Sequence, residues 1–178
     1  MTYILIMTEG NSELAFLNVV LEKGLLKFDK KELLTGEIKQ CRKIEGEVLA
    51  NILMLSPNDN VTIYRVGDKL SDTLKTPKIV LPQKIKAKYD ICTLPEFEIL
   101  FILKENYYAE FSKANTGIKA NEFYRKKNKK YKKQSEFITD YFSKMSNDEI
   151  IELINIYISK RGKVHQKNQL TLKEIIKC

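Results

Sequence analysis

Short apolar runs alternate with helix-periodic stretches along the first half of the chain. Residues 2–7 are almost continuously apolar and residues 61–66 are rich in β-branched and aromatic side chains, a pattern typical of buried strands. Residues 12–24 and 45–55 carry apolar side chains at helical spacing, and residues 37–41 predict a short strand between them. This β-α-β-α-β order predicts a parallel sheet with helices on its faces.

The second half of the chain predicts one more strand and then helices. Residues 76–88 contain two prolines and predict a linker, residues 89–93 predict a fourth strand, and Thr93-x-x-Glu96 predicts the capping box of a helix. Its aromatic residues are assigned to the core: Phe97, Phe101, Tyr107, Tyr108 and Phe111. We therefore expect an α/β domain over residues 1–111 and a basic helical extension packed on it over residues 112–178.

The helical extension has four predicted parts. Residues 120–133 predict a basic amphipathic segment, and residues 137–142 predict an apolar helix. Ser146-x-x-Glu149 and Thr171-x-x-Glu174 each predict a capping box at the start of a further helix.

Composition narrows the class of protein. The chain has 178 residues, of which 43% are hydrophobic and 30% charged, so it predicts a globular fold. Three scattered cysteines and the single His165 argue against a disulfide framework, a zinc site or a histidine-based triad. Neither GxxxxGK[ST] nor GxGxxG occurs, and no apolar run reaches 18 residues. We expect a cytoplasmic protein with no membrane contact.

Two acids follow predicted strands. Glu9 comes directly after the first strand and Asp68 after the third, so a parallel sheet would bring them to one edge. Mg²⁺ (or Mn²⁺) prefers one or two carboxylates with several waters, and Asp72 lies close enough in sequence to assist. The alternative is that these acids are solvated turn residues.

The sequence around these acids also resembles a known family of domains. Residues 4–25 resemble the opening of a Toprim (topoisomerase–primase) domain, in which a strand ends in Glu-Gly, here Glu9-Gly10, and a further acid follows, here Glu13. The resemblance implies that Glu9 is the acid or base of strand cleavage. Its second motif, Asp-x-Asp, begins at Asp68 and implies a Mg²⁺ site. Leu70 stands where the second aspartate is expected, and Asp72 is the candidate substitute.

A narrower resemblance lies at residues 92–100. The stretch CTLPEFEIL is similar to the Pro-x-Phe-Glu helix start of RloB-like Toprim proteins of bacterial phage defence, and it implies that Glu98 joins the acidic cluster. Together the two resemblances cover roughly the first 110 residues and imply a Toprim-like parallel sheet of about four strands flanked by helices. Without them, Glu98 is explained by a favourable interaction with the helix dipole and Glu96 by capping.

Positive charge is concentrated in the second half. The net charge is +8, and seven of the nine residues at 125–133 are cationic, a density that favours a polyanion such as nucleic acid. Tyr124 and Tyr131 are candidates for stacking on bases. The alternative is a solvated lysine-rich face with both tyrosines packed inward. The candidate nucleic-acid-binding residues are Lys113, Lys119, Arg125, Lys126, Lys127, Lys129, Lys130, Lys132, Lys133 and Arg161.

These features predict a divalent-metal-dependent nuclease acting on RNA or DNA. Glu9 would be general base or metal ligand, Asp68 the principal metal ligand, and Glu98 and Asp72 supporting acids. The resemblance implies a role in anti-phage defence, with a larger partner such as an ATPase. Two alternatives stay open: a nucleic-acid-binding module without catalysis, and a regulatory subunit whose basic helices meet an acidic protein.

Overall fold

The sheet confirms the predicted α/β class. The computed structural model describes residues 1–68, 73–114, 117–161 and 170–178. Their four strands pair in parallel in the order β2-β1-β3-β4. The strands are β1 (Thr2–Thr8), β2 (Lys39–Gln40), β3 (Asn60–Gly67) and β4 (Ile85–Cys92).

Both faces of the sheet are buried, which explains the continuous apolar run at its centre. Ile4 and Ile6 of β1 point into the larger hydrophobic core, while Leu5 and Met7 point into a smaller core on the opposite face. This two-sided burial follows from the alternation of side chains along a strand.

Helices cover the sheet unequally. The described helices are α1 (Asn11–Glu22), α2 (Gly46–Leu53), α3 (Ile99–Lys104), α4 (Tyr108–Lys113), α5 (Ala120–Lys127), α6 (Ser135–Ser143) and α7 (Asn147–Arg161). Residues of α1, α3, α5, α6 and α7 build the larger core, and α2 packs on the smaller one. The C-terminal helices thus share a core with the first strands. None of the described helices combines the length and the apolar composition that crossing a membrane requires.

One predicted capping box is confirmed by its hydrogen bonds, and the other is found only as a capping threonine. The Ser146 hydroxyl accepts the Glu149 amide at 3.2 Å, and the Glu149 carboxylate accepts the Ser146 amide at 2.8 Å, which is the predicted capping box of α7. Thr171 accepts the Lys173 amide at 3.4 Å, but the helix that it caps is a single 3₁₀ turn, Leu172–Glu174.

Three boundaries were predicted wrongly. Strand β4 begins at Ile85, inside the predicted linker. The helix expected directly after Thr93 begins only at Ile99, because the Glu96 carboxylate caps α5 instead, accepting the amide of Asn121 at 3.0 Å. Helix α5 ends at Lys127 rather than reaching residue 133. Continuing it would set like charges at i,i+4 spacing, which destabilises a helix.

Residues 170–178 contact both the end of β4 and the larger core. Leu170 pairs with Ile91, its amide donating to the Asp90 carbonyl at 2.9 Å while its carbonyl accepts the Cys92 amide at 3.0 Å. Ile176 forms an isolated bridge with Leu26, and buried side chains of this stretch enter the larger core. The segment therefore adds one bridge to the sheet and several buried side chains to the core.

Candidate functional site

Glu9 and Asp68 lie at the same edge of the sheet. Strands β1 and β3 are neighbours, with Thr8 paired to Val66, and the Glu9 amide donates to the Val66 carbonyl at 3.0 Å. Asp68 follows β3 directly, and both acids are half-buried. The carboxyl ends of β1 and β3 therefore bring together the two acids that the sequence placed there.

Glu13 joins this edge from the first turn of α1. It is buried, with 6% of its surface exposed. Its carboxylate folds back over Gly10, where an added Cβ would lie only 2.4 Å from Glu13 Oε2. A side chain at position 10 would therefore displace the Glu13 carboxylate from its present position. Glu9, Glu13, Asp68 and Glu98 together are called the acidic edge below.

Glu98 reaches the acidic edge from the N-cap of α3 and is completely buried. Its Oε1 accepts a hydrogen bond from the Tyr131 hydroxyl at 2.7 Å and lies 3.3 Å from the Lys133 ammonium. Its Oε2 is buried and has no hydrogen-bond partner among the described residues. A buried carboxylate with one satisfied oxygen is costly, so its retention calls for an explanation.

The acids share one electrostatic environment. The pKa of Glu13 is raised to about 7, mainly by burial and also by the negative charges of Asp68 and Glu98, while a backbone hydrogen bond and Lys133 oppose the rise. Glu13 is therefore close to half-protonated at neutral pH. A carboxyl group poised in this way can hold or release a proton at neutral pH.

Unsatisfied polar atoms are concentrated at the same place. Five buried side-chain oxygens in the described residues lack a hydrogen-bond partner, and three of them belong to Thr8, Ser12 and Glu98. Thr8 ends β1 and Ser12 lies in the first turn of α1, so all three border the acidic edge. Native proteins satisfy most buried polar groups, and such a concentration marks a place prepared for water, an ion or a ligand.

The loop before α3 is fixed from two sides. The Tyr157 hydroxyl of α7 donates to the Cys92 carbonyl at 3.1 Å and accepts the Leu94 amide at 3.0 Å. The capping of α5 by Glu96 holds the other side of the loop. Glu98 is thereby positioned by contacts with two helices distant in sequence.

The basic segment, residues 125–133, is exposed but only its first three residues are helical. All seven of its cationic side chains are exposed, and so are Lys113 at the end of α4 and Lys119 at the N-cap of α5. Arg161 ends α7, but its side chain lies outside the described part of the structure. The cations are Arg125, Lys126, Lys127, Lys129, Lys130, Lys132 and Lys133.

Neither tyrosine of this region can stack on bases, contrary to prediction. Tyr124 is fully buried, stacks on Phe101 and donates to Glu105 at 2.6 Å. Tyr131 is 5% exposed and donates to Glu98. The inward-packing alternative is correct for both, because each hydroxyl finds a carboxylate acceptor inside the protein.

The basic segment ends at the acidic edge. Tyr131 and Lys133 both contact Glu98, so the exposed cations before them continue directly to the buried acids. Lys127 forms an ion pair with Glu110, whereas Arg125, Lys126, Lys129, Lys130 and Lys132 have no ion-pair partner in the described structure. A row of exposed cations therefore leads to the acidic edge.

The donor set suits a hard cation in part. Within the described ranges, no three acidic, histidine or cysteine side chains form a group that could hold a metal ion. Asp72 lies outside the described residues. Mg²⁺ needs only one or two carboxylates besides its waters, which Glu9 and Asp68 can supply. Glu98 Oε2 is a further carboxylate oxygen of the acidic edge without a hydrogen-bond partner among the described residues.

Sequence reasoning did not assign a role to Glu13 or a specific one to Lys133. The only sequence signal for Glu13 was its place after Glu-Gly, and Lys133 was one cation among seven. Their importance follows from tertiary packing that brings α1, α3 and the basic segment to one edge. Comparison with models of protein families, with curated proteins and with solved structures finds no match.

Proposed function

We propose that the protein is a divalent-metal-dependent nuclease that cleaves phosphodiester bonds of RNA or DNA at the acidic edge. The observation that carries the proposal is the continuity between a row of exposed cations and a group of carboxylates that includes a buried, unpartnered oxygen. The cations would hold phosphates with release of counterions, and the acids would serve the hydrolysis.

Each residue of the acidic edge has a proposed part. Glu9 and Asp68 would hold Mg²⁺ or Mn²⁺, which lowers the pKa of water and polarises a phosphoryl oxygen when bound. Glu98 would hold the ion or one of its waters through Oε2, and Asp72 would assist. In hydrolysis, a water oxygen attacks phosphorus and gives its proton to Glu9, the P–O bond to the departing oxygen breaks, and that oxygen takes up a proton from solvent. Lys133 would offset charge on the phosphate.

The biological setting is proposed from the Toprim and RloB-like resemblances alone. They suggest anti-phage defence in the cytoplasm, together with a larger partner such as an ATPase. A second function, nucleic-acid binding without cleavage, is favoured by the lack of a three-ligand group among the described residues.

A cleavage assay separates these two functions. Labelled single- and double-stranded RNA and DNA are incubated with protein and Mg²⁺ or Mn²⁺, and in parallel with EDTA. We expect metal-dependent cleavage that falls at least about 100-fold in Glu9→Gln and Asp68→Asn. Glu152→Gln, an exposed acid on α7, is the matched control and should cleave normally. Salt-sensitive binding with no cleavage would favour the binding module.

A thermal-shift measurement gives a second readout. A divalent ion that binds only the folded state raises the melting temperature by mass action. We expect a rise with Mg²⁺ or Mn²⁺ in the parent protein and in Glu152→Gln, and a smaller one in Glu9→Gln and Asp68→Asn. Cleavage that persists in EDTA would contradict the metal-dependent mechanism.

A further inference from the structure

A second cationic surface surrounds a cavity on the opposite face of the sheet from the basic segment. The cavity has a volume of about 740 Å³ and lies between the β2–α2 loop and residues 73–78, which follow β3. Ile44 and Leu74 line it and are buried in the smaller core. Its rim carries four exposed cations and one exposed acid, Glu45; the cations are Arg42, Lys43, Lys75 and Lys78.

The walls of this cavity are held in place. Lys88 of β4 donates to the Leu74 carbonyl at 2.7 Å and to the Thr76 hydroxyl at 3.3 Å, which fixes the wall formed by residues 73–78. The opposite wall is the β2–α2 loop. Its first residue is held by a hydrogen bond in which the Cys41 amide donates to the Thr8 carbonyl at 3.1 Å. This bond places the start of that wall beside the residue that precedes Glu9.

The strand order places the cavity next to the acidic edge. Along the carboxyl ends of β2, β1, β3 and β4 the chain presents Arg42 and Lys43, then Glu9, then Asp68, and finally the loop to Glu98. Adjacent strands lie about 4.8 Å apart, so this series spans on the order of 14 Å. Positive charge therefore flanks the acids on both sides.

The chemistry of the cavity favours an anion with an apolar part. Its four cations have no ion-pair partner among the described residues, and they outnumber Glu45, so a bound anion would relieve their mutual repulsion. An inorganic phosphate would occupy only a fraction of the cavity volume. Pockets of this size hold small organic ligands that combine an apolar body with a few polar groups.

We propose that this cavity is a nucleotide subsite, in which Ile44 and Leu74 contact the base and Arg42, Lys43, Lys75 and Lys78 hold the phosphate. The nucleotide would belong to a strand that crosses the acidic edge and continues along the basic segment. This assignment rests on the proposed function for its strand. The same chemistry would accept a free nucleotide, which the experiment distinguishes.

Binding without cleavage tests the subsite directly. Fluorescence anisotropy of a labelled single strand of about 12 nucleotides is measured in EDTA at several salt concentrations. The variant Arg42→Gln/Lys75→Gln should bind about tenfold more weakly, and its salt slope should fall by about 1.4 because two phosphate contacts are lost. The control Lys30→Gln/Lys31→Gln removes the same charge from the exposed 3₁₀ helix Lys30–Glu32 and should stay within about twofold.

Competition identifies the occupant. Adenosine monophosphate, ribose 5-phosphate, inorganic phosphate and poly-glutamate are added to the protein–strand complex. Stronger displacement by the nucleotide than by ribose 5-phosphate supports a subsite that contacts the base. Direct binding of the free nucleotide without binding of the strand would assign the subsite to a free nucleotide instead. Equal displacement by poly-glutamate would overturn the proposal and leave a general polyanion surface.

The outcomes separate this proposal from the nuclease. All exchanged side chains are exposed, so the melting temperatures of both double variants should match the parent protein. If the parent protein cleaves with metal, and Arg42→Gln/Lys75→Gln changes neither cleavage nor strand binding, the subsite proposal is wrong. The nuclease proposal would then still stand. Weakened binding in this variant, with no cleavage by the parent protein, would support the subsite and contradict the nuclease.

Discussion

Helix α3 has a glutamate at each end, and each accepts a hydrogen bond from a buried tyrosine. Glu105 at the C-cap accepts from Tyr124 at 2.6 Å and from Tyr141 at 3.3 Å, and it is only half-buried. Glu98 at the N-cap accepts from Tyr131 and is completely buried, with one oxygen unpartnered among the described residues.

The surroundings of the two glutamates explain the different role of each. Glu105 accepts hydrogen bonds from neutral hydroxyls of α5 and α6, and these bonds link both helices to α3. Glu98 shares its environment with Glu13, Asp68 and Lys133. A half-satisfied carboxylate among like charges adds little to stability, and its retention is better explained by a ligand.

The largest expected effect comes from exchanging each glutamate for glutamine. Glu98→Gln should reduce nucleic-acid cleavage at least about 100-fold while the fold is kept. Glu105→Gln should change cleavage less than about threefold but lower the free energy of unfolding by about 1–2 kcal/mol, because two tyrosines lose a charged acceptor. Rates and urea denaturation are measured on both. Equal losses of cleavage would show that α3 acts only as a scaffold.

The pH dependence of stability tests the crowding of acids near Glu98. Glu13 has a pKa of about 7 in the folded state, whereas the ordinary pKa of a glutamate is 4.5. The folded state therefore binds more protons between these values, and this contribution to stability is complete below about pH 4.5 and lost as the pH rises through 7. The loss should amount to about 3 kcal/mol.

Glu13→Gln should remove this loss, because the amide carries no charge at any of these pH values. Urea denaturation at about pH 4.5 and about pH 8 should show a smaller decrease in the variant than in the parent protein. Glu122→Gln, an exposed acid of α5, is the control and should keep the parent's pH dependence. An unchanged pH dependence in Glu13→Gln would mean that the carboxylate is well solvated.

The smallest expected effect separates the two tyrosines. Tyr131→Phe and Tyr124→Phe should each lower the free energy of unfolding by about 1–2 kcal/mol, because each removes a charge-assisted hydrogen bond from a packed ring. Only Tyr131→Phe should also alter the response of the melting temperature to Mg²⁺. If Tyr124→Phe altered it equally, the distinction between the two ends of α3 would be lost.

Periodicity predicted the strands and helices that depend on local pattern. The apolar runs at residues 2–7 and 61–66 are the buried β1 and β3, and Ser146 with Glu149 caps α7. The pattern failed where a side chain has a distant partner. Glu96 looked like the second half of a local capping box, but it caps α5 instead, and only the folded chain reveals that partner.

The candidate site was likewise predictable only where local sequence indicates a position. Strand ends alone indicated Glu9 and Asp68, because parallel strands bring their carboxyl ends to one edge. Glu98 required a resemblance to be noticed. Tyr131 was misassigned, since a tyrosine between lysines gives no sign in the sequence that its hydroxyl reaches a buried carboxylate.

The pairing of residues 170–178 with β4 and Leu26 has a consequence for synthesis. The larger core stays incomplete until this segment has emerged from the ribosome, although the four described strands have emerged long before. The nascent chain would thus expose part of this apolar core during translation. We expect premature stop codons before residue 170 to yield aggregates rather than shortened, working protein.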